Sequence, residues 1–221
     1  MGLLGVLREL TAIGWQFVLE STPERKRRRY GDVEYDWEYR VDTTSATVGW
    51  RSRLLGLLHS PYQPIEPEVF REMVAELKID FSQFTFIDIG SGKGRALLLA
   101  AEYPFKRILG VELLPELNQI GRQNIRKFSS SRQRCRDIQA VCMDAAEFSF
   151  PLEPLVIFLF NPLPVEGLRK LLENLEGSLR ANPREVRVIY GNPIFEEVLM
   201  ANSLFAKTAG TRQYALFRAE L

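Results

Sequence analysis

The chain has 221 residues, of which 46% are hydrophobic and 26% charged, and its formal net charge is +1. This length and composition allow a sizeable core and exclude fibrous, collagen-like and extensively disordered proteins. A net charge so close to zero predicts no overall attraction to nucleic acid or membranes, so such a partner would have to meet a local patch.

Sulfur and imidazole groups are scarce in this chain. Cys135 and Cys142 are the only cysteines, and His59 is the only histidine. Two cysteines cannot build a disulfide framework, and one histidine beside them does not complete a zinc-ligand pattern. We therefore expect a reduced, cytoplasmic protein without a metal centre.

The first 29 residues combine an amphipathic pattern with a basic run. Apolar side chains recur at the spacing of one helix face, at Leu3, Leu7, Leu10, Ile13 and Phe17. Charged side chains interrupt this segment, so we predict no transmembrane segment and no secretory signal. The run Arg25–Arg29 follows directly. Residues 1–29 could therefore make peripheral contact with an anionic membrane or a polyanion, or pack on the main domain ahead of a solvated loop.

Residues 30–60 mix aromatic and charged side chains without a sustained period. We interpret residues 1–60 as an N-terminal amphipathic helix and an irregular cap, and residues 61–221 as the main domain. Prolines separate the two parts, and the apolar spacing after Pro67 predicts a helix to Lys78.

The main domain alternates short apolar runs with amphipathic stretches, which is typical of a doubly wound, mostly parallel sheet. The predicted strands are Phe84–Ile89, Arg107–Glu112, Ile138–Met143, Leu155–Phe160 and Val186–Tyr190. The predicted helices between and after them are Lys93–Glu102, Pro115–Phe128, Val165–Arg180 and Ile194–Ala201. Two further strands, Phe205–Thr208 and Tyr214–Arg218, flank a turn at residues 209–211 and predict a C-terminal antiparallel hairpin, for seven strands in all.

A glycine-rich loop follows the first predicted strand, in the pattern D-x-G-x-G-x-G that begins at Asp88. Glycines there allow a ligand to approach the backbone closely. Dinucleotide folds instead use G-x-G-x-x-G to seat a pyrophosphate. An acid two residues before the first glycine would repel an anion and stabilise a cation, so the pattern favours a sulfonium amino-acid nucleoside.

Two more acids stand at the ends of the next predicted strands. Glu112 lies about 20 residues beyond the glycine loop, where ribose hydroxyls are commonly held. Asp144 ends the third strand and could accept a hydrogen bond from an adenine amino group, or could cap the turn that follows. Ligands of open parallel sheets bind along the carboxyl edge, which is where all three acids are expected to lie.

The motifs DIGSGKG, VE and MDAAEF together resemble the class I S-adenosylmethionine-dependent methyltransferase family across residues 66–221. The resemblance implies that Asp88 and the glycine loop hold the methionine part of S-adenosylmethionine, Glu112 the ribose and Asp144 the adenine. The implied loop residues are Gly90, Ser91, Gly92 and Gly94. The segment PYQP also resembles a Y-x-P element of some protein-lysine methyltransferases of this fold, which implies that Tyr62 closes over the cofactor; a packed loop aromatic is the alternative.

Asn161 and Pro162 follow the fourth predicted strand. They resemble the N-P-P-aromatic motif of amino-group methyltransferases, but Leu163 and Pro164 replace its last two residues, so the aromatic that stacks on a base is missing. Asn161 is the candidate catalytic residue, which would orient an amine through its side-chain oxygen. A plain strand-to-loop turn is the other interpretation.

The acceptor of the methyl group stays open at this level. A protein side-chain amine such as lysine is favoured slightly by the Tyr62 element. A nucleic acid is supported by the basic run at Arg25–Arg29 and by a second basic cluster, although a solvated face explains that cluster better. Its members are Arg122, Arg126, Lys127, Arg132, Arg134 and Arg136. A small-molecule substrate and a non-catalytic cofactor-binding module are the remaining alternatives.

Overall fold

The computed structural model describes residues 33–44, 64–160 and 163–219. A seven-stranded sheet lies at the centre of these ranges. Its strands are β1 Thr85–Ile89, β2 Arg107–Glu112, β3 Ile138–Cys142, β4 Leu155–Phe160, β5 Val186–Gly191, β6 Phe205–Gly210 and β7 Tyr214–Ala219. The helices of the described ranges are α1 Val33–Tyr39, α2 Pro67–Ala75, α3 Arg95–Ala100, α4 Pro115–Lys127, α5 Val165–Ala181 and α6 Glu196–Met200.

The spatial order of the strands is β3-β2-β1-β4-β5-β7-β6. The first five strands are mutually parallel, and β7 runs antiparallel to both β5 and β6. The chain moves outward from β1 to β3 and then crosses to β4 on the other side of β1. The strand order therefore reverses beside β1, which is the position where open parallel sheets bind their ligands.

Alternating side chains of the strands build one core on each face of the sheet. In β1, Phe86 joins the cluster that contains α2 and α3, whereas Ile87 and Ile89 join the cluster that contains α5 and α6. All five residues of β1 are buried. A strand covered on both faces reads as a continuous apolar run, which is why the segment around Phe86 was recognisable from its composition.

The predicted architecture is confirmed, with small differences at the ends of elements. The turn of the C-terminal hairpin was placed wrongly: residues 209 and 210 belong to β6, and the turn follows at residues 211–213. The helix predicted from Lys93 begins at Arg95, because Gly94 adopts a left-handed conformation and serves as its N-cap. The helix predicted from Ile194 begins at Glu196.

Part of the segment that was expected to be irregular is helical. α1 lies within residues 30–60, and its short length of 7 residues leaves little room for a periodic pattern. The predicted N-terminal amphipathic helix, the run Arg25–Arg29, Tyr62 and Asn161 lie outside the described residues. Among the described helices, none has the length and apolarity needed to cross a membrane.

Candidate functional site

The loop between β1 and α3 turns through three glycines, and its residues 91–94 are buried. Gly90, Gly92 and Gly94 have φ values of 73°, 52° and 86°. These left-handed conformations are unfavourable for residues with a Cβ atom, so the three glycines of the motif are required by the shape of the loop. The backbone conformation of the loop therefore explains why glycine recurs at every second position of the motif.

Neighbouring elements hold this loop against the end of β2. The N–H groups of Gly90 and Ser91 donate to the carbonyl oxygen of Val111 at 2.8 and 3.0 Å. On the other side, a Cβ atom on Gly121 of α4 would come within 3.3 Å of the carbonyl oxygen of Gly92. A helix can approach the loop this closely because position 121 has no side chain.

Glu112 at the end of β2 is buried and bonds directly to the loop. Its Oε2 accepts a hydrogen bond from the Gly92 N–H at 2.7 Å, and its Oε1 accepts one from the Leu114 N–H at 2.7 Å. A carboxylate oxygen can accept more than one hydrogen bond, so this arrangement still suits a pair of ligand hydroxyls. The strand-end acid and the glycine loop are therefore in direct contact.

Asp88 in β1 is 3% exposed and lies on the α3 face of the sheet. Burial raises the pKa of this carboxyl to about 8, and the negative charge of nearby Glu112 adds to the increase. A cation placed beside Asp88 would oppose both effects and favour the ionised carboxylate. The environment is therefore suited to a positively charged ligand.

Asp144 stands just beyond β3, the third strand along this edge. The preceding Met143 N–H donates to the carbonyl oxygen of Glu112 at 3.0 Å, so the ends of β2 and β3 are joined. The Asp144 side chain is exposed and caps a 3₁₀ turn, Ala145–Glu147, by accepting from the Ala146 N–H at 2.9 Å. Asp144 therefore has the capping role that was expected as the alternative to adenine binding.

An exposed apolar side chain lies beside these acids and was not singled out from the sequence. Leu113 directly follows Glu112 and is 37% exposed. Exposed leucines are common, but this one stands at the carboxyl end of β2, next to the strand-end acid. In the sequence, only the position of Leu113 next to the strand-end acid could have drawn attention to it.

Two buried cations, one in the loop and one at the first residue of α3, were also missed by the sequence reasoning. Lys93 and Arg95 are 1% and 2% exposed. Burying an ion without a partner costs several kcal/mol, so each needs a counter-charge. Asp42 supplies one to Lys93, with Nζ to Oδ1 at 2.8 Å, and Asp36 supplies one to Arg95 at 3.4 Å.

Three Asn-Pro pairs occur in the chain, and one of them, Asn192-Pro193, directly follows β5, the strand beside β4. The register pairs Phe160 with Gly191, the residues that precede Asn161 and Asn192. Asn192 is exposed and has a φ of 47°, which asparagine tolerates better than most residues.

The second basic cluster lies along α4 and the loop that leads to β3. Its side chains are all exposed, and no salt bridge involves them within the described residues: Arg122, Arg126, Lys127, Arg132, Arg134 and Arg136. Glu116 and Asp137 are the acids of the segment from 116 to 137. The cluster is therefore a positively charged face on a chain with a net charge near zero.

Comparisons of sequence find no counterpart for this chain: no protein-family model matches it, and no curated protein matches it either. Comparisons of structure do. A predicted N6-adenine-specific DNA methylase from Listeria monocytogenes has a TM-score of 0.52 at 17% identity, over 71% of this chain and 51% of that one. This chain therefore spans about half the length of that protein.

Two further solved structures match over most of their own length. The methyltransferase domain of bacterial CtHen1-CN has a TM-score of 0.50 at 16% identity, over 71% of this chain and 100% of that one. An O-methyltransferase from Bacillus cereus, in complex with S-adenosylhomocysteine, has a TM-score of 0.50 at 14% identity, over 76% of this chain and 86% of that one. The chain thus has the fold of the class I S-adenosylmethionine-dependent methyltransferases.

Proposed function

We propose that this protein is an S-adenosylmethionine-dependent methyltransferase. The observation that supports this most directly is the hydrogen bond from the Gly92 N–H to Glu112 at 2.7 Å, because it joins a strand-end acid to the glycine loop. The similarity to methyltransferases is a similarity of fold, and one fold can host several functions. The proposal therefore depends on the chemistry of the site.

The residues at the carboxyl edge fit the three parts of S-adenosylmethionine. Asp88 would bind the amino group of the methionine part, because its buried carboxyl gains from a nearby cation. The loop Gly90–Gly94 would cover that part with backbone alone. Glu112 would accept hydrogen bonds from the ribose hydroxyls. Asp144 would accept one from the adenine amino group, with Leu113 against the ring.

When bound, the cofactor supplies an electrophilic methyl group on a positively charged sulfur. The task of this chain is then to align an acceptor with that methyl group and to keep water away. No acid-base pair is needed for such a displacement, so the absence of histidine from the motifs is no objection. The buried acids mainly contribute affinity and orientation.

The first test is calorimetric titration of the full chain with S-adenosylmethionine and S-adenosylhomocysteine. We expect 1:1 binding that Glu112→Gln weakens by about 10-fold or more, since two hydrogen bonds to a charged group are altered. Glu173→Gln is the matched control, because Glu173 is an exposed carboxylate on α5. Absence of heat with both nucleosides in the wild type would reject the proposal.

We propose a protein side-chain amine as the acceptor, on the strength of the PYQP element and of Asn161 after β4. Asn161 would hold the amine through its side-chain oxygen and leave the nitrogen lone pair towards the methyl group. S-adenosylmethionine would supply the methyl group, and the methylated amine would release one proton to solvent.

This role predicts a separation between binding and turnover. Asn161→Ala should reduce methyl transfer by about 100-fold, the scale on which misplacement of a reactant acts, and leave the cofactor Kd within about two-fold. The measurement uses S-adenosylmethionine with a labelled methyl group and a cell lysate, followed by protease or nuclease treatment. Label that survives nuclease and is lost with protease supports a protein acceptor; loss of cofactor binding in the variant would refute the role.

The exposed basic cluster favours a second candidate acceptor, a nucleic acid. Six cations without carboxylate partners in the described chain can neutralise phosphates and release counterions. We then expect polynucleotide affinity to fall steeply with salt, with a log–log slope near 0.7–0.9 for each phosphate contacted.

A triple variant tests this candidate. Changing Arg122, Arg126 and Lys127 to alanine should lower the salt slope for single-stranded RNA by about 2, because up to three contacts are removed. Changing Arg169 and Lys170 on α5 to alanine is the control, since both are exposed on a different helix. Equal slopes in all three proteins would exclude this face as the nucleic-acid contact.

A further inference from the structure

Residues 36–44, here called the strap, comprise the second half of α1 and the segment after it, and they lie against the glycine loop. The carboxylate of Asp36 closes the strap on itself, because it accepts hydrogen bonds from the N–H groups of Thr43 and Thr44 at 2.9 Å each. It also accepts from both threonine hydroxyls. One buried carboxylate thus shapes the strap.

The strap is joined to the glycine loop by charge. The ammonium of Lys93 lies 2.8 Å from a carboxylate oxygen of Asp42, and Lys93 is almost completely buried. The guanidinium of Arg95 donates to Thr43 and to Asp36, and it lies 4.4 Å from the ring centroid of Tyr35. Both cations occupy positions directly next to glycines of the loop.

Asn124 of α4 joins the same two segments through its amide. Its Nδ2 donates to the carbonyl oxygen of Asp42 at 2.8 Å and to that of Lys93 at 2.9 Å. Its Oδ1 accepts from the Asp42 N–H at 2.9 Å. The strap, the loop and α4 therefore meet at one buried amide, which is 1% exposed.

We propose that Asp42 is a positioning residue for cofactor binding: through Lys93 and Asn124 it holds the glycine loop in the conformation that binds the nucleoside. Asp42 belongs to the strap and acts on the loop through these two residues. Because linked equilibria are reciprocal, a bound nucleoside would also keep the strap in place. This inference rests on the proposed function.

The loss of this carboxylate should weaken binding without altering the chemistry. Asp42→Asn keeps the shape of the side chain and removes the charge beside Lys93. We expect the Kd for S-adenosylhomocysteine to rise about 10-fold, within the usual range for coupled sites, and kcat at saturating cofactor to stay within about two-fold of wild type. Glu38→Gln is the matched control, because Glu38 is an exposed carboxylate on α1.

A double-mutant cycle and a conservative variant separate this role from a general loss of structure. If Asp42 acts through Lys93, the pair Asp42→Asn with Lys93→Met should bind no more weakly than the weaker single variant. Asp42→Glu keeps the charge and should recover part of the affinity. Additive losses in the double variant would overturn the proposal, and so would an unchanged Kd for Asp42→Asn.

Hydrogen exchange without ligand distinguishes failure of this inference from failure of the proposed function. We expect the amides of Gly90–Gly94 to exchange about 10-fold faster in Asp42→Asn than in Glu38→Gln, because the loop opens more often. If exchange is unchanged in Asp42→Asn while the wild type binds the cofactor, the role of Asp42 is refuted and the proposed function is retained. If exchange is faster in Asp42→Asn but the wild type binds no nucleoside, the proposed function is rejected, and Asp42 only stabilises the conformation of the loop.

Discussion

Asp88 illustrates how the burial of a candidate site residue makes the stability of the protein depend on pH. It lies in a fully buried strand and has no salt bridge among the described residues. Burial holds its pKa near 8, well above the ordinary value of 3.8. The folded protein therefore keeps a proton on Asp88 at pH values where the unfolded chain has released it.

This difference predicts that the ligand-free protein loses stability as the pH rises. The folded pKa is raised, so the stabilising effect of the bound proton is complete below about pH 4 and is lost up to about pH 8, the window between the two values. The expected slope is up to about 1.4 kcal/mol per pH unit. Urea unfolding at several pH values measures it, and Asp88→Asn should flatten this contribution. An exposed acid, Asp137→Asn, should leave the slope unchanged.

Asp144 poses a different question, because its carboxylate already caps a turn. If it also accepts from the adenine amino group, the wild type should bind the adenosyl compound more tightly than the inosyl analogue, in which an oxygen replaces that group. Asp144→Ala should reduce this preference by about 10-fold, the value of one hydrogen bond to a charged group. Calorimetry on both ligands measures it.

The cap alone predicts another outcome for the same variant. Loss of a cap destabilises the fold by about 1 kcal/mol and affects both ligands alike. An unchanged preference between the two nucleosides, together with lower stability, would therefore remove Asp144 from the ligand site. Glu147→Gln, on the same turn and exposed, serves as the control.

At the scale of elements, α2 illustrates how a helix outside the alternating pattern supports the sheet. Its Phe70 is fully buried and meets Phe86 of β1 and Phe158 of β4 edge to face, with ring centroids 5.9 and 5.5 Å apart. These two strands flank the place where the strand order reverses. α2 thus packs on one face of the sheet across β1 and β4.

Removal of this ring should be costly. Phe70→Ala should reduce the free energy of unfolding by about 3–5 kcal/mol, the range for large-to-small changes in a core. Urea or thermal unfolding measures the effect. Glu68→Ala on the exposed side of α2 should change stability by no more than about 0.5 kcal/mol. A loss below 1 kcal/mol for Phe70→Ala would contradict the packing role.

At the scale of the whole molecule, the contacts around the glycine loop join residues that are far apart in the chain. Lys93 and Asp42 are 51 positions apart, and Asn124 and Asp42 are 82 apart. A ligand held by such a site binds the folded state and leaves the unfolded chain unaffected, so it should stabilise the entire cooperative unit.

Ligand binding should therefore raise the unfolding temperature as a single transition. At a concentration about 100 times its Kd, S-adenosylhomocysteine should add about 2.7 kcal/mol. For a chain of this size that corresponds to an increase in Tm of about 5–10 °C. Differential scanning calorimetry measures it, and Glu112→Gln at the same concentration should show a clearly smaller increase. A second, unshifted transition would show that the site is not part of one cooperative unit.

The sequence by itself determined the alternation of strands and helices and the glycine loop with two strand-end acids, Glu112 and Asp144, beyond it. These features were readable because parallel strands end at one edge, so a local motif at each strand end implies a shared site. Gly90, Gly92 and Gly94 were also recognisable from the sequence, because the left-handed backbone that favours glycine is a local property of the loop. The exact limits of α3 and of the hairpin were not, because end residues depend on capping and pairing.

Only the tertiary structure decided what happens to Lys93 and Arg95. In the sequence they look like ordinary charged residues between and beside glycines, and nothing near them shows that they are buried. Their partners, Asp42 and Asp36, come from a segment that is distant along the chain and too short for a periodic signal. Contacts of this kind follow from how the elements pack, so they leave no local pattern in the sequence. The contacts between the strap and the loop could therefore be identified only in the folded protein.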